Sequence, residues 1–191
     1  FGAEASAQDG AASSDLVRNP GEFVSAIELL PESTAGLVRV GSFPAFCEAF
    51  DETGLGRLVD DPLLDPFVEA QRAEARSYLD SIDSKVGLTP QDLYDIASGE
   101  VVAAWLSFPT DRRRPYALCV VADVRGMRDA AEAAFEKIDK DLKAEGAERA
   151  DKQHRGQPVR VYTRERAPGQ IKIEKIALAL TEDRIIAADR E

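Results

Sequence analysis

Two uninterrupted apolar runs, residues 100–108 (EVVAAWLSF) and 116–124 (YALCVVADV), most constrain how this chain folds. Both are short and rich in valine, which favours strands over helices. The connector between them, residues 109–115, is seven residues long and polar, so the two runs are expected as an antiparallel pair of buried strands. Trp105, the sole tryptophan, lies inside the first run and is expected in the core rather than on a ligand platform.

The flanking sequence supplies the elements that would cover such a pair. Residues 127–145 place Ala131, Ala134, Phe135, Ile138 and Leu142 on one helical face, and Gly146 stops the helix. On its wet side, Glu136 with Lys140 and Asp139 with Lys143 have the i, i+4 spacing of helix-stabilising pairs. Further strands are expected over 147–152, a polar edge, 159–164, 171–180 and 184–188, the last two pairing across Thr181-Glu182-Asp183.

Upstream, Phe23, Ile27 and Leu30 share a helical face that Pro31 ends, and residues 35–40 read as a short strand. Ser42 with Pro44 opens a helix whose Phe43, Phe46, Cys47 and Phe50 line one side. Leu55, Leu58 and Val59 suggest a short helix after Gly54. Asp65-Pro66 starts a helix running to about residue 86, with Phe67, Gln71, Ala75, Tyr78, Leu79, Ile82 and Val86 as its mostly apolar stripe. Thr89-Pro90-Gln91-Asp92 is a capping-box start, after which Leu93, Ile96 and Ala97 face inward. This order defines an α+β fold, an antiparallel sheet with helices packed mainly on one face. We expect one domain over 15–191, preceded by a disordered leader or signal-peptide remnant over 1–14. The sequence stops next to a core strand, so the domain is expected to be the N-terminal part of a longer protein.

Charge narrows the partners. The net charge is −11, and it is unevenly placed: residues 1–90 carry 16 acidic against 6 basic side chains, residues 91–191 carry 19 against 18. The acidic half repels phosphate backbones and anionic lipid surfaces, and there is no basic stripe with interleaved aromatics, so nucleic-acid binding is not expected. No apolar run is long enough to span a bilayer. Ala5-Ser6-Ala7 before Gln8 fits the small-x-small rule for signal-peptide cleavage, which points to export.

Little in the sequence carries chemistry. Cys47 and Cys119 are far apart, and one histidine cannot complete a zinc quartet, so no metal is expected. Both cysteines have apolar neighbours and read as buried thiols; a disulfide between them is the alternative in an oxidising compartment. His154 lies in a hairpin-turn sequence with no nucleophile motif elsewhere to serve, so no catalytic residue is assigned. Gly54-x-Gly56 lacks the third glycine and the preceding strand of a dinucleotide loop, and no cofactor is expected. Asp51-Glu52, Asp60-Asp61 and Asp80 with Asp83 are carboxylate pairs better explained by caps and helix exteriors than by a hydrolytic cleft. Arg112-Arg113-Arg114 is the one cluster suited to binding an anion or a partner carboxylate.

Leu30-Pro31-Glu32-Ser33-Thr34, the strand around Val38-Arg39-Val40, Gly54-Leu55-Gly56-Arg57-Leu58 with Asp61-Pro62, and Gly87-Leu88-Thr89 before Asp92-Leu93 resemble the pattern of an uncharacterised family of exported bacterial proteins. The likeness covers roughly residues 29–124 and implies export, a longer parent chain and no assigned activity. Three functional readings follow, in descending order. The first is a non-catalytic structural or protein-interaction module, whose partner is another protein or the rest of its own chain. The second is a small-ligand binder using a cavity between helices and sheet, and the third a carboxylate-dependent hydrolase.

Overall fold

A computed structural model describes residues 24–59, 61–81, 87–112, 114–164 and 175–190, with backbone alone for residues 72 and 75–81. The fold is α+β. A 3-10 turn, Ala26–Leu29, is followed by β1 (Thr34–Val40), α1 (Phe43–Asp51), α2 (Gly54–Val59), α3 (Asp65–Ser81), α4 (Pro90–Ile96), β2 (Val101–Ser107), β3 (Tyr116–Asp123), α5 (Arg128–Ala144), β4 (Glu148–His154), β5 (Gln157–Thr163), β6 (Lys175–Leu180) and β7 (Arg184–Ala188). The seven strands form one sheet in the order β1-β2-β3-β7-β6-β5-β4, antiparallel at every pairing. It is two meanders, β1–β3 and β4–β7, with α5 between them in sequence and the β3–β7 pair joining them in space.

Strand side chains alternate between faces, and the two faces have different covers. On one, Val101, Val120, Ala122, Ile176, Leu178, Ile185 and Ala187 pack with Ile96 and Ala97 after α4, and with Ala131, Phe135, Ile138 and Leu142 of α5. These are the inward residues that helical spacing selects. On the other, Val102, Ala104 and Val121 lie under Ala26, with Leu30, Leu106, Cys119 and Ile186 around them.

Local signals account for most boundaries. The Ser42 hydroxyl accepts the Ala45 N–H with Pro44 in the first turn. Thr89 and Asp92 make the full reciprocal capping box. Arg155 and Gly156 both have positive φ, 49° and 81°, forming the tight two-residue turn that matches strand twist between β4 and β5. His154 therefore ends β4 opposite Gln157, exposed, rather than lying within the turn.

Three expectations need correction or limits. Trp105 is not in the core: it is 43% exposed. Its neighbour on β1 is Gly36, which has no side chain to cover it, and β1 is the last strand at that end of the sheet. Phe46 and Phe67 were expected inward and are exposed, whereas Phe43, Cys47 and Phe50 are half-buried. The expected continuation of α3 through 82–86 and the strand start over 171–174 lie outside the described residues.

Gly56 fixes how α2 meets α1. A Cβ there would sit 2.2 Å from the Phe50 carbonyl oxygen and 2.7 Å from the Asp51 Cα, both backbone atoms. Gly56→Ala is expected to force the two helices apart at a cost of about 2 kcal/mol. Amide exchange should speed up over 43–59 while β2 and β3 keep their protection.

Candidate functional site

Among the described residues, six charged side chains are buried: Asp92, Glu100, Asp123, Asp139, Arg184 and Asp189. Glu100, just before β2, accepts the Ser25 hydroxyl at 2.7 Å, the Ala26 N–H at 2.6 Å and Arg39 Nε at 2.5 Å. Burial works against its charge, and these donors outweigh burial, so its pKa lies below the usual carboxylate value. Asp123 is held ionised in the same way by Arg125, with Arg184 nearby. Arg184 also donates to the Val24 carbonyl. Asp92 links α4 to Lys137 of α5 at 2.8 Å.

Asp139 of α5 accepts the Tyr162 hydroxyl at 2.5 Å, Lys143 Nζ at 2.7 Å and Arg149 Nη1 at 3.1 Å. Burial disfavours its charge, and the three donors overcome this to hold the carboxyl at about 2. Beside it, Arg160 stacks 4.5 Å over the Phe135 ring and pairs with Glu136. Asp189 is the exception: burial raises its pKa despite the Leu118 N–H, Arg114 and Arg190. Each of these carboxylates is engaged by donors of its own chain. Their chemistry is that of clamps between elements, and among the described residues no group of His, Cys, Asp and Glu could hold a metal.

The residues singled out in the sequence are not brought together. Arg112 is exposed on the β2–β3 connector, and Arg113 lies outside the described residues. Arg114 is half-buried; its Nη2 donates to the Asp189 carbonyl at 3.0 Å and lies 3.4 Å from the Asp189 carboxylate. It thus clamps β3 to the residue after β7 and is not displayed for an anion. Cys47 and Cys119 are both free thiols and half-buried. Burial, with Asp189 nearby, pushes the Cys119 thiol up to about 11.

What the structure displays instead is apolar surface at one end of the sheet. Residues 35–39 of β1 are all exposed. By register, Val38 and Gly36 lie on the same face as Trp105 and Tyr116 of the next two strands. Val38 is 57%, Trp105 43% and Tyr116 56% exposed. Among the described residues β1 pairs only with β2, so its outer edge offers free backbone donors and acceptors. The opposite edge, β4, has the sequence ERADKQH and carries an Arg149–Asp151 ion pair. It is blunted by charge in the usual way, and β1 is not. After β1, the helices α1–α3 leave Phe46, Leu55, Leu58 and Phe67 exposed, and Leu63, between α2 and α3, is 88% exposed.

Sequence reading missed this surface because EVVAAWLSF looks equally buried whether β2 has a full neighbour or one built around Gly36. The signal was present in Gly36 itself, a glycine within the strand next to the only tryptophan. Comparison with known proteins finds no matching family model, curated protein or solved structure.

Proposed function

We propose that this chain is a non-catalytic, exported protein-interaction module that binds its partner at the β1 end of the sheet. The observation that carries the reading is the exposed Val38–Trp105–Tyr116 face beside an edge strand that, among the described residues, pairs only with β2 and carries one charge, Arg39. Tryptophan and tyrosine contribute most to interface energy when covered, and exposed apolar surface of this kind marks interaction sites. The buried carboxylates support the non-catalytic part: Glu100, Asp123 and Asp139 are held ionised by internal donors, and Asp189, whose pKa burial raises, is engaged by the Leu118 N–H and Arg114 rather than facing a second carboxylate across a cleft. A hydrolase of the two-carboxylate class needs one such group to keep its proton. Export rests on the Ala5-Ser6-Ala7 triplet and the resemblance described above.

A photo-crosslinking side chain at position 38, in cells that make the protein, should yield a discrete adduct with another polypeptide. The same group at position 152, on the charged β4 edge, should yield none. Equal yields at the two edges, or no adduct at 38, would sink the reading.

A further inference from the structure

We infer that the partner at this edge is a second copy of the chain, paired antiparallel through β1 about a two-fold axis at Leu37. This rests on the interaction-module reading and names the occupant. β1 runs from Thr34 to Val40, so Leu37 is its midpoint and the strand, reversed there, pairs with itself over its whole length. Residues 35–39 are all exposed, and among the described residues β1 pairs only with β2. An open edge of this kind recruits a further strand by backbone pairing.

The side chains select a copy of the same strand. Reversal about Leu37 sets Gly36 opposite Val38 of the partner copy, and Val38 opposite Gly36 of the partner copy. Nothing lies within 4 Å of where a Gly36 Cβ would be, and Trp105 is its neighbour on β2. Val38, 57% exposed, fits that gap and there covers the indole, itself 43% exposed. Gap and filler thus lie two residues apart on one strand, and a single rotation satisfies both in both copies. On the opposite face Leu37, 39% exposed, meets Leu37 of the partner copy on the axis. An axis at Gly36 or at Val38 loses the match, setting glycine against glycine or valine against valine. The irregular pairing of β1 with β2 falls between Thr34 and Gly36, which leaves residues 36–38 in regular register.

Charge permits this contact at the edge and closes it at two copies. β1 has no acidic residue, and its one charge, Arg39, is paired with Glu100 and falls opposite Ala35 of the partner copy. No like charges are therefore set against each other across the two strands. The other margin of the sheet, β4, carries Glu148, Arg149, Asp151 and Lys152, which disfavours β1-to-β4 growth into an open array. Each copy has a net charge of −11, so longer-range repulsion opposes association and added salt should strengthen it. One strand edge with Leu37, Val38 and Trp105 is a small interface beside the standard of about 800 Å² a side, so the dissociation constant is expected at roughly 10–100 μM.

The test uses the full chain. Mass by sedimentation should rise from 20.8 kDa towards twice that value with concentration, while Trp105 emission moves to shorter wavelength and amides of residues 35–39 gain protection. Leu37→Lys and Leu37→Glu should each weaken dimerisation about tenfold or more, since each puts like charges together on the axis. Mixed in equal amounts, these two variants should associate again, and only with one another. Gly36→Val fills the gap and should also weaken dimerisation about tenfold. Positions 36 and 37 are exposed, so all three variants should keep the unfolding midpoint of the monomeric wild type, measured at low concentration. A chain that stays monomeric to about 1 mM, charge variants that fail to restore each other, or protection that spares 35–39 would overturn the inference. The cellular crosslink at position 38 separates it from the broader reading. An adduct of two copies supports both. An adduct with a different polypeptide leaves the interaction module standing and removes self-pairing, and no adduct removes both.

Discussion

Glu100→Ala will lower the unfolding free energy by about 3 kcal/mol, read from the urea midpoint at constant slope. Its side chain is 2% exposed and is the shared acceptor for Ser25, Ala26 and Arg39. Alanine leaves the Ala26 N–H, itself buried, without a partner, and that unmet donor accounts for much of the loss. Glu100→Gln keeps an oxygen for that N–H while losing the charge towards Arg39, so it should cost about half as much. The loss should be directional as well as large: residues 24–30 should come off the Val102–Ala104–Val121 face and exchange faster, while α5 stays protected. Equal costs for the two variants would mean that the pair with Arg39, not the clamp on the 3-10 turn, carries the effect.

The second large effect is on Asp139. Its carboxyl binds a proton less readily in the folded state, at about 2, than at its ordinary value of 3.8. A depressed folded value stabilises above the unfolded pKa and loses that contribution as pH falls through the folded one. The difference corresponds to about 2 kcal/mol, fully present above pH 4 and lost between about pH 4 and 2. Asp139→Asn should therefore be less stable at neutral pH and flatter across this acid range. Asp139→Ala should cost about 3 kcal/mol, because the Tyr162 hydroxyl, on a side chain only 1% exposed, is left without its acceptor. Urea titrations at pH 6, 3 and 2 read both. A wild-type curve parallel to the Asp139→Asn curve through pH 3 would show that the aspartate does not carry this dependence.

These two carboxylates also show where sequence reading succeeds and where it stops. The helix over 127–145 was legible because Ala131, Phe135, Ile138 and Leu142 repeat at helical spacing, and all four are buried. Asp139 sits beside Ile138 on what spacing alone marks as the wet side. It is buried because Arg149 and Tyr162 converge on it from β4 and β5, a convergence set by strand order rather than by local sequence. Glu100 read as the polar lead-in to a strand. Its role comes from residues some 74 positions earlier.

Caps and turns at Ser42, Thr89 and Gly146 were readable because each closes within a few residues. The α+β class followed from the order of elements. The exposed apolar face at β1 was not readable, since it depends on which strand ends at the sheet's margin. Val38 and Trp105 carry the same residue types at an edge as they would in a centre. Arg114 was legible as a cation, but its engagement with Asp189 required β3 and β7 to be neighbours.

The β3–β7 pairing has a consequence for how the protein comes into being. The first meander can form early, yet the inner margin of β3 has no partner until β7 emerges. Arg184 then reaches back to the Val24 carbonyl across 160 residues of chain. Contacts of such sequence separation slow folding, because a long loop must close before they form. A nascent chain released only through α5 would thus hold a strand exposed at the β3 margin of the β1–β3 meander for the time it takes to synthesise and dock the second meander. During that interval Val120 and Val121 of β3 are open to mispairing with other chains.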